Sequence, residues 1–439
     1  MRLPCWQDST LLVLILVAGF ALRAGFAADQ TRKIPQAALA EAPFAQETGN
    51  IAYSVATGKG FSNPFRRETG PTAWLTPVYP LVVAGTFKIL GVFTFASFLF
   101  LVLLNILFSV AACVPLFLSG RRVAGSSAAL YAAFLWAIFP AAVMMPFEWI
   151  WDTSLSALLA ATLLWATLEL PDSHRPRYWW GYGVLWGFTL VTNPSLASLL
   201  PFLLSWAAYR TRQVQVGSSS VRPSEWLKRP AIALGMAILC CLPWTIRNYA
   251  VFHRLVPLRS NFPLELYIGN NENYDDKHPR YPGVITKDRE TLRYFRMGEV
   301  PFMDEEMRKA TKFIVTHPRV EIILFGKRFA AFWIGLPNAV ESFREADWLV
   351  RTLMLCGLFS GIGALAGIVV LIKRRSNFIL PVAVYPIVFP MLYYVTHTSV
   401  RYRHPIDPIV LLLTAITLDA AVKLCRPFLR RSPVKSAAA

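Results

Sequence analysis

Ten charge-poor stretches, each near the length of a bilayer crossing, dominate the chain and leave little room for a water-soluble fold. A helix needs about 20 apolar residues to cross the hydrocarbon core, and the stretches fall at Leu11 to Ala27, Phe95 to Leu118, Ser126 to Met145, Trp151 to Leu168, Trp179 to Thr192, Ser195 to Tyr209, Ala231 to Tyr249, Arg351 to Ile372, Phe378 to Thr396 and Ile406 to Leu424. With 55% hydrophobic and 16% charged residues, the chain has more apolar surface than one soluble core hides, which predicts an all-α polytopic membrane protein of about ten transmembrane helices.

The formal net charge is +18. Nucleic-acid binding needs such charge gathered on one solvated face, whereas here short basic clusters sit between apolar stretches, so nucleic acid is excluded as a partner. The clusters alternate. One set of connections carries Arg2, Arg121, Arg122, Arg175, Arg177, Arg210, Arg212, Arg222, Lys228, Arg229, Lys373 to Arg375, and the basic tail from Lys423 to Lys435; the short connections of the other set carry only Arg401 and Arg403. Positive charge marks the cytoplasmic side, so both termini are expected in the cytoplasm and most of the charge is topological.

This reading divides the chain into a first span (1–27), a first outer segment (28–94), spans two to seven (95–250), a large outer segment (251–350), spans eight to ten (351–424) and a cytoplasmic basic tail (425–439). Helices are expected at Ala42 to Ala56 and Ala73 to Leu90, lying along the membrane surface, and near Phe302 to Thr316, ended by Pro318. Gly269 to Gly283 reads as turn-rich. Val320 to Leu336 is apolar but interrupted by Lys327 and Arg328, and reads as interfacial or re-entrant, because an eleventh crossing spoils the alternation. Gly25-Phe26-Ala27-Ala28 resembles a signal-peptide cleavage site, but Arg2 is offset by Asp8, which favours an uncleaved first span. None of the six cysteines lies in an outer segment and no Cys/His spacing fits zinc, so neither a disulfide framework nor a metal centre is expected. Gly217 to Ser220 reads as a flexible connection and Ser432 to Ala439 as disordered.

Four constellations carry possible chemistry. In the first outer segment, Phe44, Thr48, Ile51, Ala52 and Val55 make one helical face with Glu47 at its edge; a carboxylate half withdrawn from water is either a better proton acceptor at neutral pH or simply a solvated side chain. In the turn Phe147 to Thr153, Asp152 opens the fourth span, as a helix N-cap or as a second site carboxylate, and ranks above Glu148. Arg247, in Pro243-Trp244-Thr245-Ile246-Arg247-Asn248, either snorkels to headgroups or holds a phosphate in two parallel hydrogen bonds, and Leu266 to Asn271 with Asn270 follows it. His397 to Pro405 contains Arg401, Tyr402, Arg403 and His404. Its two arginines break the charge asymmetry, which points to an anionic ligand, with headgroup anchoring as the alternative. The histidines fit local hydrogen bonds better than metal.

These motifs carry a resemblance. Glu47-x-x-x-Ile51-Ala52, Gly58-x-Gly60-Phe61-Ser62-x-Pro64-Phe65, Thr69-Gly70-Pro71-Thr72-Ala73-Trp74, Pro77-Val78-Tyr79-Pro80, the P-W-x-x-R-N run and Arg401-Tyr402-Arg403-x-Pro405 resemble the GT-C glycosyltransferases. Within that superfamily they are most similar to family-39-like bacterial enzymes, related to protein O-mannosyltransferases and lipid A aminoarabinose transferases. The resemblance implies a GT-C-like bundle and inverting sugar transfer from a polyprenyl-phosphate donor to a lipid, glycan or protein acceptor hydroxyl, at the outer face of a bacterial inner membrane. It implies Glu47 as base, oriented with help from Asp152, and Arg401, Arg403 and Arg247 against the phosphate, with Asn270, Tyr402 and His404 as further binding residues. Thr48 follows Glu47 where many relatives carry a second acidic residue, so no tandem acidic pair is available. No cofactor is implied; a divalent metal is compatible but not indicated. A lipid-linked-sugar flippase or a non-catalytic scaffold is the competing class, against which stand the absence of internal repeats and the clustering of ionisable groups at outer span ends.

Overall fold

The computed structural model describes residues 6–33, 44, 46–65, 67–173, 175–216, 223–272, 288–335, 343–344 and 346–429. Gly217 to Ser220, most of the turn-rich run and the C-terminal tail lie outside them. The helices are α1 (Trp6–Lys33), α2 (Gln46–Ala56), α3 (Val78–Leu90), α4 (Phe95–Ala111), α5 (Cys113–Ala124), α6 (Ser126–Ile138), α7 (Pro140–Glu148), α8 (Thr153–Glu169), α9 (Arg177–Leu190), α10 (Leu200–Val216), α11 (Pro223–Phe252), α12 (Phe262–Gly269), α13 (Asp288–Met297), α14 (Glu299–Thr316), α15 (Pro318–Ile334), α16 (Trp348–Lys373), α17 (Ile379–Val388), α18 (Met391–Val395) and α19 (Asp407–Leu429). Among the described residues the only β pairing is an isolated bridge between Ser62 and Pro71.

The fold is all-α and polytopic. Six helices are long and apolar enough to cross a membrane, or seven if the bent pair α6–α7 is one span. The other three expected crossings correspond to shorter or broken helices. Of these, α9 has 14 residues, α10 follows a 3-10 turn over Pro194–Leu199, and the last breaks between α17 and α18, where Pro386 and Pro390 lie. Proline supplies no amide to the helical ladder and clashes with the preceding turn. The apolar α15 is not among the candidate crossings.

Small residues let the spans close on one another. A Cβ at Gly183 would fall 2.4 Å from the Ala233 carbonyl oxygen and one at Gly187 2.3 Å from Cys240 Cβ, so α9 and α11 touch backbone to backbone. Gly367 of α16 meets the Leu413 carbonyl of α19 in the same way, at 2.2 Å. Within lipid, where apolar burial gives no net drive between helices, such close packing supplies much of the association.

The bend between α6 and α7 has an identifiable cause and an unexpected support. Pro140 cannot donate to the Trp136 carbonyl and forces Phe139 to an extended ψ of 122°. Arg23 of α1, buried in the bundle, donates instead to Trp136 O at 3.1 Å, Ala137 O at 2.8 Å, Gly19 O at 2.9 Å and Ser109 Oγ at 3.0 Å. The residue interrupts the first apolar stretch because the broken helix beside it needs donors.

The two long segments between spans fold together as a cap on one end of the bundle. Ile51, Phe65, Trp74 and Leu75 from the first share a buried cluster with Leu264, Ile268, Tyr294, Phe302 and Met303 from the second. The α3 helix starts at Val78, later than the expected Ala73, because residues 72–76 are irregular and are tied to other parts of the chain: the Thr76 hydroxyl donates to Thr192 O at 2.7 Å and Ala73 N to Glu299 Oε1 at 2.7 Å. The α14 helix starts at Glu299, before the expected Phe302, directly after Gly298 at φ 79°. Replacing Arg23 by Met should strand the Trp136 and Ala137 carbonyls and lower stability by about 2–3 kcal/mol, to be read as a fall in thermal midpoint of the detergent-solubilised protein; an unchanged midpoint would remove Arg23 from its structural role.

Candidate active site

The glycines and Asn63 of the first long segment make the turn that delivers Trp74. Gly58 and Gly60 take φ of 81° and 72°, a region open to glycine and costly to most other residues. Asn63, at φ 55°, accepts from Gly70 N through its side chain at 2.8 Å and donates its own amide to Gly70 O at 2.9 Å. The chain then returns past Phe61, whose carbonyl accepts from Thr72 N at 3.2 Å, and enters the cavity wall at Trp74 and Leu75. Ahead of α2, which starts later than the expected Ala42, Phe44 packs edge-on against Phe87, Phe93 and Phe98, and on the helix Thr48, Ile51 and Ala52 are buried. That face fixes the helix and leaves Glu47 half-buried at the cavity, as the periodicity predicts.

One cavity, enclosing about 780 Å3 including its open mouth, lies where the cap meets the bundle. Its lining includes Glu47, Asp152, Glu265, Arg259 and Arg401, together with Trp74, Trp151, Tyr393 and Tyr402. Asp152 stands at the start of α8, yet its carboxylate makes no cap to a backbone amide. It accepts instead from the Ser156 hydroxyl at 2.8 Å, and Asn193 Nδ2 donates to the same Ser156 Oγ at 3.1 Å. Glu148 is exposed and does not line the cavity.

Arg401 lies over the rings of Trp151 and Trp149, 4.3 and 4.7 Å from their centroids. Its Nη1 is buried with no hydrogen-bond partner. Tyr402 stacks on Tyr393 with centroids 4.7 Å apart, and its hydroxyl lies 3.1 Å from His397 Nε2. His397 Nδ1 in turn is 3.4 Å from Glu265 Oε2, while Asn261 Nδ2 donates to Glu265 Oε1 at 2.9 Å. Gly269 lets α12 approach this strap closely: a Cβ there would fall 1.8 Å from Thr396 O.

Four expected binding residues do not line the cavity. Arg247 donates to Thr72 O and Phe61 O, both at 2.7 Å, and so clamps the first long segment to the end of α11. Asn270 is buried, donating to Leu266 O and Val395 O and accepting from Arg328. Arg403 binds Asp407, Trp333 O, Gly357 O and Ser360 Oγ. His404 is fully buried 5.3 Å from the Trp136 ring and 4.0 Å from Asp407, with neither ring nitrogen hydrogen-bonded. All four sit where packing between elements demands donors or a flat ring. The Lys327-Arg328 interruption has the same origin, since Arg328 donates to Gly269 O, Tyr394 O and Val395 O and holds α12, α15 and α18 together.

Arg259 and Glu265, absent from the expected set, are part of the site. Both flank Asn261-Phe262-Pro263, where α12 begins; the legible signal was an acidic side chain four residues after an asparagine, a spacing that brings the two together on one helix face. Among the described residues no three Asp, Glu, His or Cys side chains form a group suited to a metal ion.

Burial pushes the Glu47 carboxyl above its ordinary value; Glu265 adds to the rise and Arg401 opposes it. Asp152 is also raised by burial, against the hydrogen bond from Ser156 and the nearby Arg259 and Arg401. A carboxyl whose folded pKa lies above its unfolded one costs stability when ionised, a cost absent below the unfolded pKa and fully present above the folded one. Glu47→Gln should therefore be more stable than the parent at neutral pH, with the gain vanishing as pH falls through the carboxylate range, as followed by thermal melts across pH; a gain independent of pH would contradict this.

Fold and site together define a polytopic helical membrane protein with a charged cavity where a helical cap meets the spans. Residues 75–246 match the family model described as dolichyl-phosphate-mannose-protein mannosyltransferase. That stretch includes Asp152 but neither Glu47 nor Arg259, Glu265 and Arg401. The fold is similar to that of the Archaeoglobus fulgidus oligosaccharyltransferase in its apo form, with a TM-score of 0.57 at 13% identity over 97% of this chain and 51% of the other. It is also similar to oligosaccharyltransferase AglB from the same organism in complex with an inhibitory peptide and a dolichol-phosphate, with a TM-score of 0.53 at 13% identity over 99% of this chain and 53% of the other. The chain thus spans about half the length of these solved relatives. The search of curated proteins returns no match. Both positive comparisons lead to the GT-C superfamily of membrane glycosyltransferases, and the chain has its fold.

Proposed function

We propose that this chain transfers a sugar from a polyprenyl-phosphate donor to an acceptor hydroxyl, with inversion at the anomeric carbon. The observation that carries this reading is the buried, unpartnered Nη1 of Arg401. Arg23, Arg247 and Arg403 give their donors to carbonyls and neighbouring side chains, whereas Arg401 lines the cavity with Nη1 buried and unpartnered. A phosphate oxygen would satisfy it, and the tryptophan faces on which it lies suit a cation held in place for an anion. Arg259, also on the cavity wall, replaces Arg403 and Arg247 as the second cation.

With the phosphate held there, the leaving group departs as a stabilised anion and needs no strong general acid. Glu47 takes the proton from the acceptor hydroxyl as its oxygen attacks the anomeric carbon opposite the phosphate. Its raised pKa makes it the better base near neutral pH. Asp152, held by Ser156, and Glu265, held by Asn261 and His397, accept hydrogen bonds from sugar or acceptor hydroxyls. The family model and the dolichol-phosphate complex of the archaeal relative support a lipid-linked donor for this chain. The positive-inside charge pattern supports cytoplasmic termini and a cavity on the opposite face, which in this reading is the outer face of a bacterial inner membrane.

Labelled transfer from a panel of polyprenyl-phosphate sugars in proteoliposomes tests the reading. Glu47→Gln should lower transfer by about 10²–10⁴-fold while the protein stays folded, and Arg401→Ala should raise the donor KM. The rate should climb with pH as Glu47 loses its proton, with a midpoint above the usual carboxylate range that disappears in the glutamine variant. Flipping of the donor without transfer, or full activity in Glu47→Gln, would overturn the assignment.

A further inference from the structure

The cavity is built from chain segments far apart in sequence, and a buried carboxylate outside it joins two of them. Glu299, at the start of α14, is 5% exposed. Its Oε1 accepts from Ala73 N at 2.7 Å and Ser260 Oγ at 2.6 Å, and its Oε2 accepts from Thr72 Oγ1 and Tyr294 OH, both at 2.5 Å. Ser260 N donates to Ala73 O at 2.9 Å, which closes the same junction through the backbone. On its far side, Arg247 holds the Thr72 carbonyl. The residues next to this junction are cavity walls: Trp74 follows Ala73 and Arg259 precedes Ser260.

We propose that Glu299 is a positioning residue that keeps Trp74 and Leu75 of the first long segment in register with Arg259 of the second. The inference rests on the reading of the cavity as the donor site. Three of its four donors are hydroxyls, so only a group able to accept at every lone-pair direction satisfies them all while also taking the fixed amide of Ala73. Burial, with the Glu299 charge beside it, pushes the Tyr294 phenol well above its ordinary pKa, so it stays a donor. In Glu299→Gln one oxygen becomes an NH2 group, which opposes either the Ala73 amide or the Thr72 and Tyr294 hydroxyls. Thr72 Oγ1 already accepts from Trp74 N at 3.0 Å, which fixes how it can turn, and the Ala73 amide cannot accept at all. Displacing a wall that holds the donor by a fraction of its length is enough to lose affinity.

The test uses the full chain in nanodiscs. Hydrogen exchange should show residues 72–77 and 257–265 losing protection together in Glu299→Gln, with α8 and α19 unchanged; Tyr294→Phe, which keeps the carboxylate, should give the same pattern more weakly and serves if the first variant does not fold. Protection lost in one segment alone, or in neither, overturns the proposal, and this readout does not depend on transfer activity. Kinetically, Glu299→Gln should raise the donor KM on the order of tenfold with kcat at saturation largely kept, the signature of lost ground-state binding. The effects of Glu299→Gln and Arg259→Ala should be less than additive in the double variant. An unchanged KM with a smaller active fraction would make Glu299 a fold residue only. If the parent transfers no sugar while the coupled exchange change is still seen, the latch stands and the donor-site reading falls.

Discussion

A polar group withdrawn from water into an apolar interior costs several kcal/mol unless it finds a partner, and arginine meets much of that demand in this molecule. The guanidinium has five donors in a fixed fork and keeps its charge. Arg23 supplies the break in α6–α7, Arg247 the return of the first long segment, Arg328 the junction of α12 with α18, and Arg403 the joint between α15, α16 and α19. Most of the carbonyls they hold lie at helix breaks, helix ends or in loops; Gly357, held by Arg403 within α16, is an exception. Taken together they brace the irregular parts of the fold, all but Arg23 around the cavity end of the bundle.

Against that background the cavity is set apart by what its charges do not do. Asp152 accepts from Ser156 and caps no backbone amide, and Arg401 keeps an unpartnered nitrogen. Carboxylates and guanidiniums in one cavity would ordinarily collapse into ion pairs, which is the arrangement seen elsewhere in the cap, where Arg293 meets Glu290, Glu305 and Glu306. Stacking on Trp149 and Trp151 restrains Arg401 from that collapse. A site kept in this state is preorganised for a substrate that brings its own charge.

The bundle and the first part of the site were legible because their signals are local. Apolar length marks a span, and the face Phe44, Thr48, Ile51, Ala52 sets Glu47 at its edge through helical periodicity alone. Arg401 stood out because it broke a charge asymmetry. Arg403, two residues away, carried the same signal and proved to be packing, since what separates them is which carbonyls lie within reach, a property of α15 and α16 far along the chain. Arg259 was hidden for a related reason: charges in a long segment carry no topological information, so nothing in its neighbourhood distinguished it. Arg23 sat inside an apolar stretch whose length masked it, and its purpose depends on Pro140, more than a hundred residues on. The residues that sequence alone misplaces are those whose partners are set by tertiary contact.

The geometry also accounts for why the site sits at the seam between cap and spans. The donor proposed for it would bring a lipid chain that belongs among the spans and a charged head that does not, so its phosphate would be received at the boundary. Arg401 enters from the strap between α18 and α19, and Asp152 from the mouth of α8, both belonging to the bundle. Glu47, Arg259 and Glu265 come from the cap. In the proposed reading the base is therefore carried by the cap, while Arg401, one of the two proposed phosphate ligands, is anchored in the bundle. Gly269 against Thr396 and Arg328 against Gly269 and Val395 tie those two bodies at a point beside the cavity. On the proposed reading the separation of base and leaving group is set by how the cap sits on the spans, and the backbone-directed hydrogen bonds at this seam would hold that separation fixed.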